Sequence, residues 1–189
     1  ITTLSPTKPG RVTGLKIAER TTNSLSYSWK NVPGVNYRLI FYKGSNAVST
    51  INVTGNAYTY KNLKSATAYT LQITPYRIVN NKNVYAASAD TVRTATSPAK
   101  AKLSKAKRSG SSKIKLSWKK VTGASGYEIF MKTGSGKYKK IKTIGKGKTV
   151  SFTKTKLSRK KSYSFKMRAY VTVAGKKIYG ADSNVKKVK

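Results

Sequence analysis

The chain has 189 residues with neither cysteine nor histidine, and it sets 40 lysines and arginines against four aspartates and glutamates, a formal charge of +36. Without thiols or imidazoles, disulfides, Cys–His and Ser–His nucleophile arrangements and nearly all zinc sites are excluded, and four carboxylates leave little for paired acid–base hydrolysis. No enzyme and no cofactor is expected, and the length suits two domains of ordinary size, each closing a modest core.

In chain order, residues 1–9 read as a linker, and the first strand opens at Leu15-Lys16-Ile17. Leu25, Tyr27 and Trp29 then alternate with Ser24, Ser26, Ser28 and Lys30. That period of two marks a half-buried antiparallel strand. Asn31-Val32-Pro33-Gly34 has turn chemistry, because proline presets its own φ and glycine accepts a positive one. Further strands are predicted over Tyr37 to Tyr42, Ala47 to Val53, Tyr58 to Lys61 and Tyr69-x-Leu71-x-Ile73. After Asn80-Asn81-Lys82-Asn83 a last strand returns near Thr91-Val92-Arg93. Thr94 to Ala99 is a short joint, and a second series follows: Leu103, Ile114-x-Leu116-x-Trp118, Tyr127-x-Ile129-x-Met131, Tyr138 to Ile144, Val150-x-Phe152, Tyr163-x-Phe165-x-Met167 and Val185 to Val188. No helix is predicted.

The second series copies the first. Trp29 and Trp118 are 89 residues apart and Tyr37 and Tyr127 are 90, whereas Leu63 and Leu157, Tyr69 and Tyr163, Tyr76 and Tyr170, and Tyr85 and Tyr179 are all separated by 94. The second copy therefore carries four extra residues between its third strand and Leu157. A period near 92 is too long for a solenoid unit and right for a small domain. The expected organisation is a linker over 1–9, one domain over 10–96 and a second over 97–189.

At these landmarks the chain resembles the fibronectin type III family. The residues that carry the resemblance are Trp29 and Trp118, the openings Tyr37-x-Leu39 and Tyr127-x-Ile129, and Leu63 with Tyr69 and Leu157 with Tyr163, which look like the tyrosine corner of that fold. The resemblance implies an all-β chain of two tandem, immunoglobulin-like, seven-stranded sandwiches. The lysine-rich second copy is further similar to repeats that follow catalytic or adhesive domains in secreted and surface proteins of Gram-positive bacteria. An Arg-Gly-Asp tripeptide is absent, and Val79 to Val84 and Val173 to Ile178 fall where loops that display it are expected.

The charge is unevenly placed. Residues 1–97 hold 12 basic residues with Glu19 and Asp90, whereas residues 98–189 hold 28 with Glu128 and Asp182. Such a field favours polyanions, namely teichoic acid, an acidic glycan, nucleic acid or an anionic membrane. Thirty-two of the 40 cations are lysines, hydrated point charges that attract without a fixed fork. The densest run, Lys137, Lys139, Lys140, Lys142, Lys146 and Lys148, coincides with the extra residues and is the first candidate site. Gly145-Lys146-Gly147-Lys148-Thr149 imitates the tail of a phosphate-binding loop, but Ile141 replaces the glycine needed upstream and a strand follows it. The second candidate is aromatic. Continuing the alternation outward places Tyr42 and Tyr76 on the outer face of one domain, and Phe130 and Tyr170 beside Lys166 and Arg168 on that of the other, where rings beside cations stack on sugars or bases. Packing between strands beneath a covering loop is the alternative. No run of about 18 apolar residues is present, and the start lacks the pattern of a signal peptide. The expectation is a monomeric fragment of a larger secreted or cell-wall protein whose partner is an anionic wall polymer, the alternatives being a passive spacer between other domains, an adhesin unit for host glycans or proteins, and nucleic-acid binding.

Overall fold

The computed structural model describes residues 7–189. It divides into two compact units, one built from residues up to Leu63 and Ala68–Thr96, the other from Lys64–Thr67 and Ser97–Lys189. All regular structure among the described residues is strand.

The first unit holds β1 (Lys16–Arg20), β2 (Leu25–Ser28), β3 (Asn36–Lys43), β4 (Asn46–Val53), β5 (Ala57–Tyr60), β6 (Ala68–Val79), β7 (Lys82–Tyr85) and β8 (Asp90–Ala95). One sheet has the order β1-β2-β5. The other runs β4-β3-β6, with β7 and β8 both paired to β6. All these pairings are antiparallel. The second unit repeats the plan with β9 (Leu103–Arg108), β10 (Ile114–Trp118), β11 (Gly126–Thr133), β12 (Lys139–Ile144), β13 (Ser151–Lys154), β14 (Tyr163–Val173), β15 (Lys176–Tyr179) and β16 (Lys186–Val188). Its sheets are β9-β10-β13 and β12-β11-β14, the latter completed by β15 and β16 on β14.

The seven-stranded sandwich is present in each unit, with one departure. The seventh position is split in two. β6 pairs through Ala68–Ile73 with β8 and through Tyr76–Val79 with β7, and β14 is shared by β16 and β15 in the same way. The expected loops at Val79 to Val84 and Val173 to Ile178 are therefore tight hairpins. Asn80 and Asn81 have φ of 50° and 60°, and Ala174 and Gly175 have 48° and 73°, the two successive positive values that a type I′ hairpin turn requires. Neither pair is the Asn-Gly or Asp-Gly that signals such a turn in a sequence.

Each core lies between its two sheets and is built from the inward half of the alternation. Leu25, Tyr27, Tyr37, Leu39, Phe41, Leu71 and Ile73 are all but fully buried in the first, and Ile114, Leu116, Tyr127, Ile129, Phe165 and Met167 in the second. Trp29 and Trp118 stand edge-on to Tyr37 and Tyr127, with ring centroids 5.2 and 5.4 Å apart. The tyrosine corner is formed in the second unit, where the Ser158 amide donates to the Tyr163 hydroxyl at 3.0 Å. Tyr37 and Tyr127 do comparable work, receiving the amides of Val32 and Val121 at 3.2 and 2.9 Å and so fixing the turn that precedes their strands. Tyr163→Phe removes one such bond and strands a half-buried amide, so it is expected to lower stability by about 1–2 kcal/mol, readable by urea denaturation. No change in midpoint would show that the hydroxyl merely sits near the amide.

The extra residues of the second unit can now be located. The β3–β4 connection is Gly44–Ser45, whereas β11 and β12 are joined by residues 134–138. The chain beyond the edge strand also lengthens, from residues 54–56 to 145–150, while the edge strand itself shortens from eight residues to six.

Candidate polyanion-binding surface

The lysine run lies on and around β12, an edge strand paired only with β11. Neighbouring side chains on a strand point to opposite faces, and β12 divides its lysines accordingly. Lys140 pairs with Phe130 and turns to the outer face of the sheet, while Lys139 pairs with Met131 and turns to the other. Lys137 precedes the strand, and Lys146 and Lys148 follow it. Six residues at about 3.3 Å each separate those ends by about 20 Å. The run is thus a charged edge, exposed at all six lysines, and not one patch.

Lys140 is also engaged. Glu128, on β11, is fully buried on the outer face. Its carboxylate accepts from Lys140 Nζ at 3.1 Å, from Arg168 Nε and Nη2 at 3.1 and 2.8 Å, and from the Tyr179 hydroxyl at 3.2 Å, with Lys177 Nζ 3.8 Å away. Burial opposes the charge on Glu128, but the hydrogen bonds from Arg168 and Lys140 outweigh it and hold its carboxyl below the usual range. Lys166 is similarly bonded to Asp182 at 2.5 Å. Three of the eight predicted anion-binding cations, Lys140, Lys166 and Arg168, therefore already meet carboxylates. These pairs leave no local trace in the sequence, because each acid and its cation lie 12 to 40 residues apart.

The outer face also corrects the aromatic prediction. Tyr76 and Tyr170 do share the outward parity, but they are 6% and 4% exposed. The seventh strand covers them. Tyr76 packs on Tyr85 at 5.2 Å, and Tyr170 on Tyr179 at 6.2 Å. Tyr170 lies opposite Gly126 and donates to the Ile144 carbonyl at 3.2 Å. A Cβ at Gly126 would come within 2.6 Å of the Tyr170 hydroxyl and 2.0 Å of the Ile144 oxygen, so only glycine admits that ring. Neither tyrosine presents a face to a ligand. Tyr42 and Phe130 are half-buried. The Tyr42 hydroxyl donates to Gln72 Oε1 at 2.8 Å.

Phe130 belongs to a series in which rings and cations interleave. Lys166 lies 4.8 Å from the centre of Tyr138 and 5.9 Å from that of Phe130, while Arg168 lies 5.2 Å from Phe130 and 3.8 Å from Tyr179. Lys132 approaches Tyr138 and Lys177 approaches Tyr170, at 5.4 and 4.5 Å. Each of these cations lies within reach of a ring quadrupole, and Lys166, Arg168 and Lys177 also face a carboxylate. Tyr138 and Tyr179 were not among the predicted site residues. The offset of 94 between Tyr85 and Tyr179 was the signal that marked the latter.

Sheet order, the buried tryptophans and the tyrosine corner together define an architecture seen elsewhere. A two-domain fibronectin type III segment of chicken tenascin matches over 94% of this chain and 98% of its own length, with a TM-score of 0.58 and 13% identity. Both units have the fibronectin type III fold. The FN1–FN3 domains of chicken CNTN1 also match, over 96% of this chain and 68% of theirs, at a TM-score of 0.46 and 15% identity. The sequence matches no protein-family profile and no curated protein. On this fold the second unit carries the more basic surface, with 28 of the 40 lysines and arginines lying after residue 97.

Proposed function

We propose that the chain is a non-catalytic tandem fibronectin type III module that holds a larger secreted surface protein against an anionic polymer, with the teichoic acid of a Gram-positive wall as the leading example. One observation carries the reading. Of the 28 basic residues after residue 97, only Lys140, Lys166, Arg168 and Lys177 approach a carboxylate, leaving 24 without an ion pair among the described residues. A surface that need only be soluble mixes both signs. The bacterial surface setting rests on the sequence resemblance of the second copy.

A passive spacer is the second reading, favoured by the lysines of β12, since charge on a free edge deters pairing between sheets. Salt dependence separates the two. Each neutralised charge releases counterions, so the logarithm of the binding constant falls with that of the salt concentration in proportion to the charges engaged. Binding to purified teichoic acid is expected to show a steep slope, flattened when Lys137, Lys139, Lys142 and Lys146 become glutamine. Lys140 is spared because Glu128 needs it. Removing Lys16, Lys30, Lys43 and Lys61 from the first unit alters net charge equally and is expected to change the slope less. Equal effects from both sets would reduce the site to diffuse attraction, and no binding near physiological salt would establish the spacer. Equal retention on walls with and without teichoic acid would remove that polymer as the ligand, with sulfated glycan and nucleic acid next in line.

A further inference from the structure

We propose that the second unit carries a docking groove for an extended acidic segment of another protein that inserts an aromatic side chain. The groove has a volume of 540 Å3 and lies beside the free edge of β12, lined by the half-buried Met131, Ile141 and Lys132 and by the exposed Lys137 and Lys139 among others. The two units differ here when they are compared by register. Phe41 pairs with Leu71, and Met131 occupies the same position opposite Phe165. Tyr60 pairs with Leu25, and Lys154 occupies that position opposite Ile114. In the first unit the Phe41 ring is fully buried and stacks on Tyr60 at 4.1 Å. The second unit replaces both stacked rings, one by a thioether and one by a lysine. Met131 is left half-buried and lines the groove, where its equivalent Phe41 is fully buried.

The inserted residues fix the walls of that groove. The Gly136 amide closes the turn on the Thr133 carbonyl at 3.0 Å, and the Gly134 amide ties it to the Ser162 carbonyl at 2.9 Å. A groove shaped before its ligand arrives costs less ordering on binding.

The chemistry of the lining selects the occupant. A thioether and an isoleucine side chain offer contact to a flat ring, and sulfur packs favourably against aromatics. They offer no ring for a nucleobase to stack on, and a polyol phosphate leaves such a lining unused. Lys137 and Lys139 have no ion pair among the described residues, and the two carboxylates of this unit are bonded elsewhere. Acidic residues flanking the inserted ring supply the missing charge. The outer edge of β12 is unpaired, so an extended segment can add to it as a strand and present alternate side chains. A second copy of this chain does not qualify, because it has four carboxylates against 40 cations.

This proposal stands apart from the polymer reading, and a pair of peptides of equal charge separates them. The probes are a synthetic peptide with one tyrosine among aspartates and glutamates, and the same peptide with alanine in place of that tyrosine. The chain has two methionines, so methyl labelling gives two resonances, with the fully buried Met167 as an internal reference. On the full chain, the tyrosine peptide is expected to bind about tenfold tighter by calorimetry, equivalent to about 1.4 kcal/mol. It is also expected to move the Met131 methyl upfield by ring current while leaving Met167 in place. Restoring the first unit's pair with Met131→Phe and Lys154→Tyr is expected to abolish the preference for tyrosine, and Lys154→Gln to preserve it. Equal affinity for the two peptides, or a Met131 methyl that does not respond to the tyrosine peptide, overturns the proposal whatever the outcome with teichoic acid.

Discussion

Truncating Trp118 to alanine is expected to destabilise the second unit by about 3–5 kcal/mol. The indole is 4% exposed and borders the core at its junction with the turn into β11. Its contact with the Tyr127 ring, 5.4 Å between centroids, also steadies the hydroxyl that receives the Val121 amide. The loss therefore combines a large cavity with a loosened turn. Trp118→Phe is expected to cost far less. The indole nitrogen is buried without a hydrogen-bond partner among the described residues, so replacing it with a hydrocarbon ring forfeits no bond. Trp29 has the same unpartnered nitrogen, and the same ordering of variants is expected there. Chemical denaturation followed by far-ultraviolet dichroism measures both. A cost below 1 kcal/mol for the alanine variant would mean that the tryptophan is not part of the core's framework.

How far the sequence reveals this molecule depends on which physical signal each feature leaves. Alternation at Leu25, Tyr27 and Trp29, and its echo at Ile114, Leu116 and Trp118, identifies the central strands because burial of one sheet face writes itself directly into period two. The fourfold offset of 94 fixes the order of the copies. The split seventh strand leaves a weaker trace, because Asn80-Asn81 and Ala174-Gly175 adopt the hairpin turn without its usual residues. Alternation also gives the side of the sheet and not its exposure. Tyr76 and Tyr170 are outward, yet β7 and β15 cover them, and which strand covers which ring depends on pairings distant in sequence. The candidate surface was legible as a lysine density and illegible as a geometry. Nothing near Glu128 in the chain announces that Arg168, Lys177 and Tyr179 converge on it, since those contacts span 40, 49 and 51 residues. The groove over Met131 is a further case. That Met131 and Lys154 stand where the first unit has the stacked Phe41 and Tyr60 is visible only after strand register is known.

Glu128→Gln gives the second large effect, and its sign follows from the cluster. Glutamine keeps the size of the side chain but leaves Arg168, Lys140 and Lys177 to repel one another. Losing one partner of a buried ion pair costs about 3–5 kcal/mol when the remaining charge stays buried. Here the three cations are 32%, 49% and 36% exposed and recover part of their hydration, so about 2–3 kcal/mol is expected. The same residue sets a pH dependence. Burial by itself would raise the Glu128 carboxyl, but the bonds from Arg168 and Lys140 prevail and lower it. A group whose folded pKa is depressed contributes stability that is fully present above its unfolded value, about 4.3 for glutamate, and that disappears as pH falls through the folded value. The stability difference between the parent chain and Glu128→Gln is therefore expected to be constant from pH 8 down to about 5 and to shrink below about 4.3. Arg168→Lys probes the same balance from the other side. A lysine cannot reproduce the paired Nε and Nη2 bonds, 3.1 and 2.8 Å long, so it should move the midpoint of that acid loss toward higher pH. A difference that persists undiminished to pH 2 would show that the carboxylate's charge has no part in holding this face together.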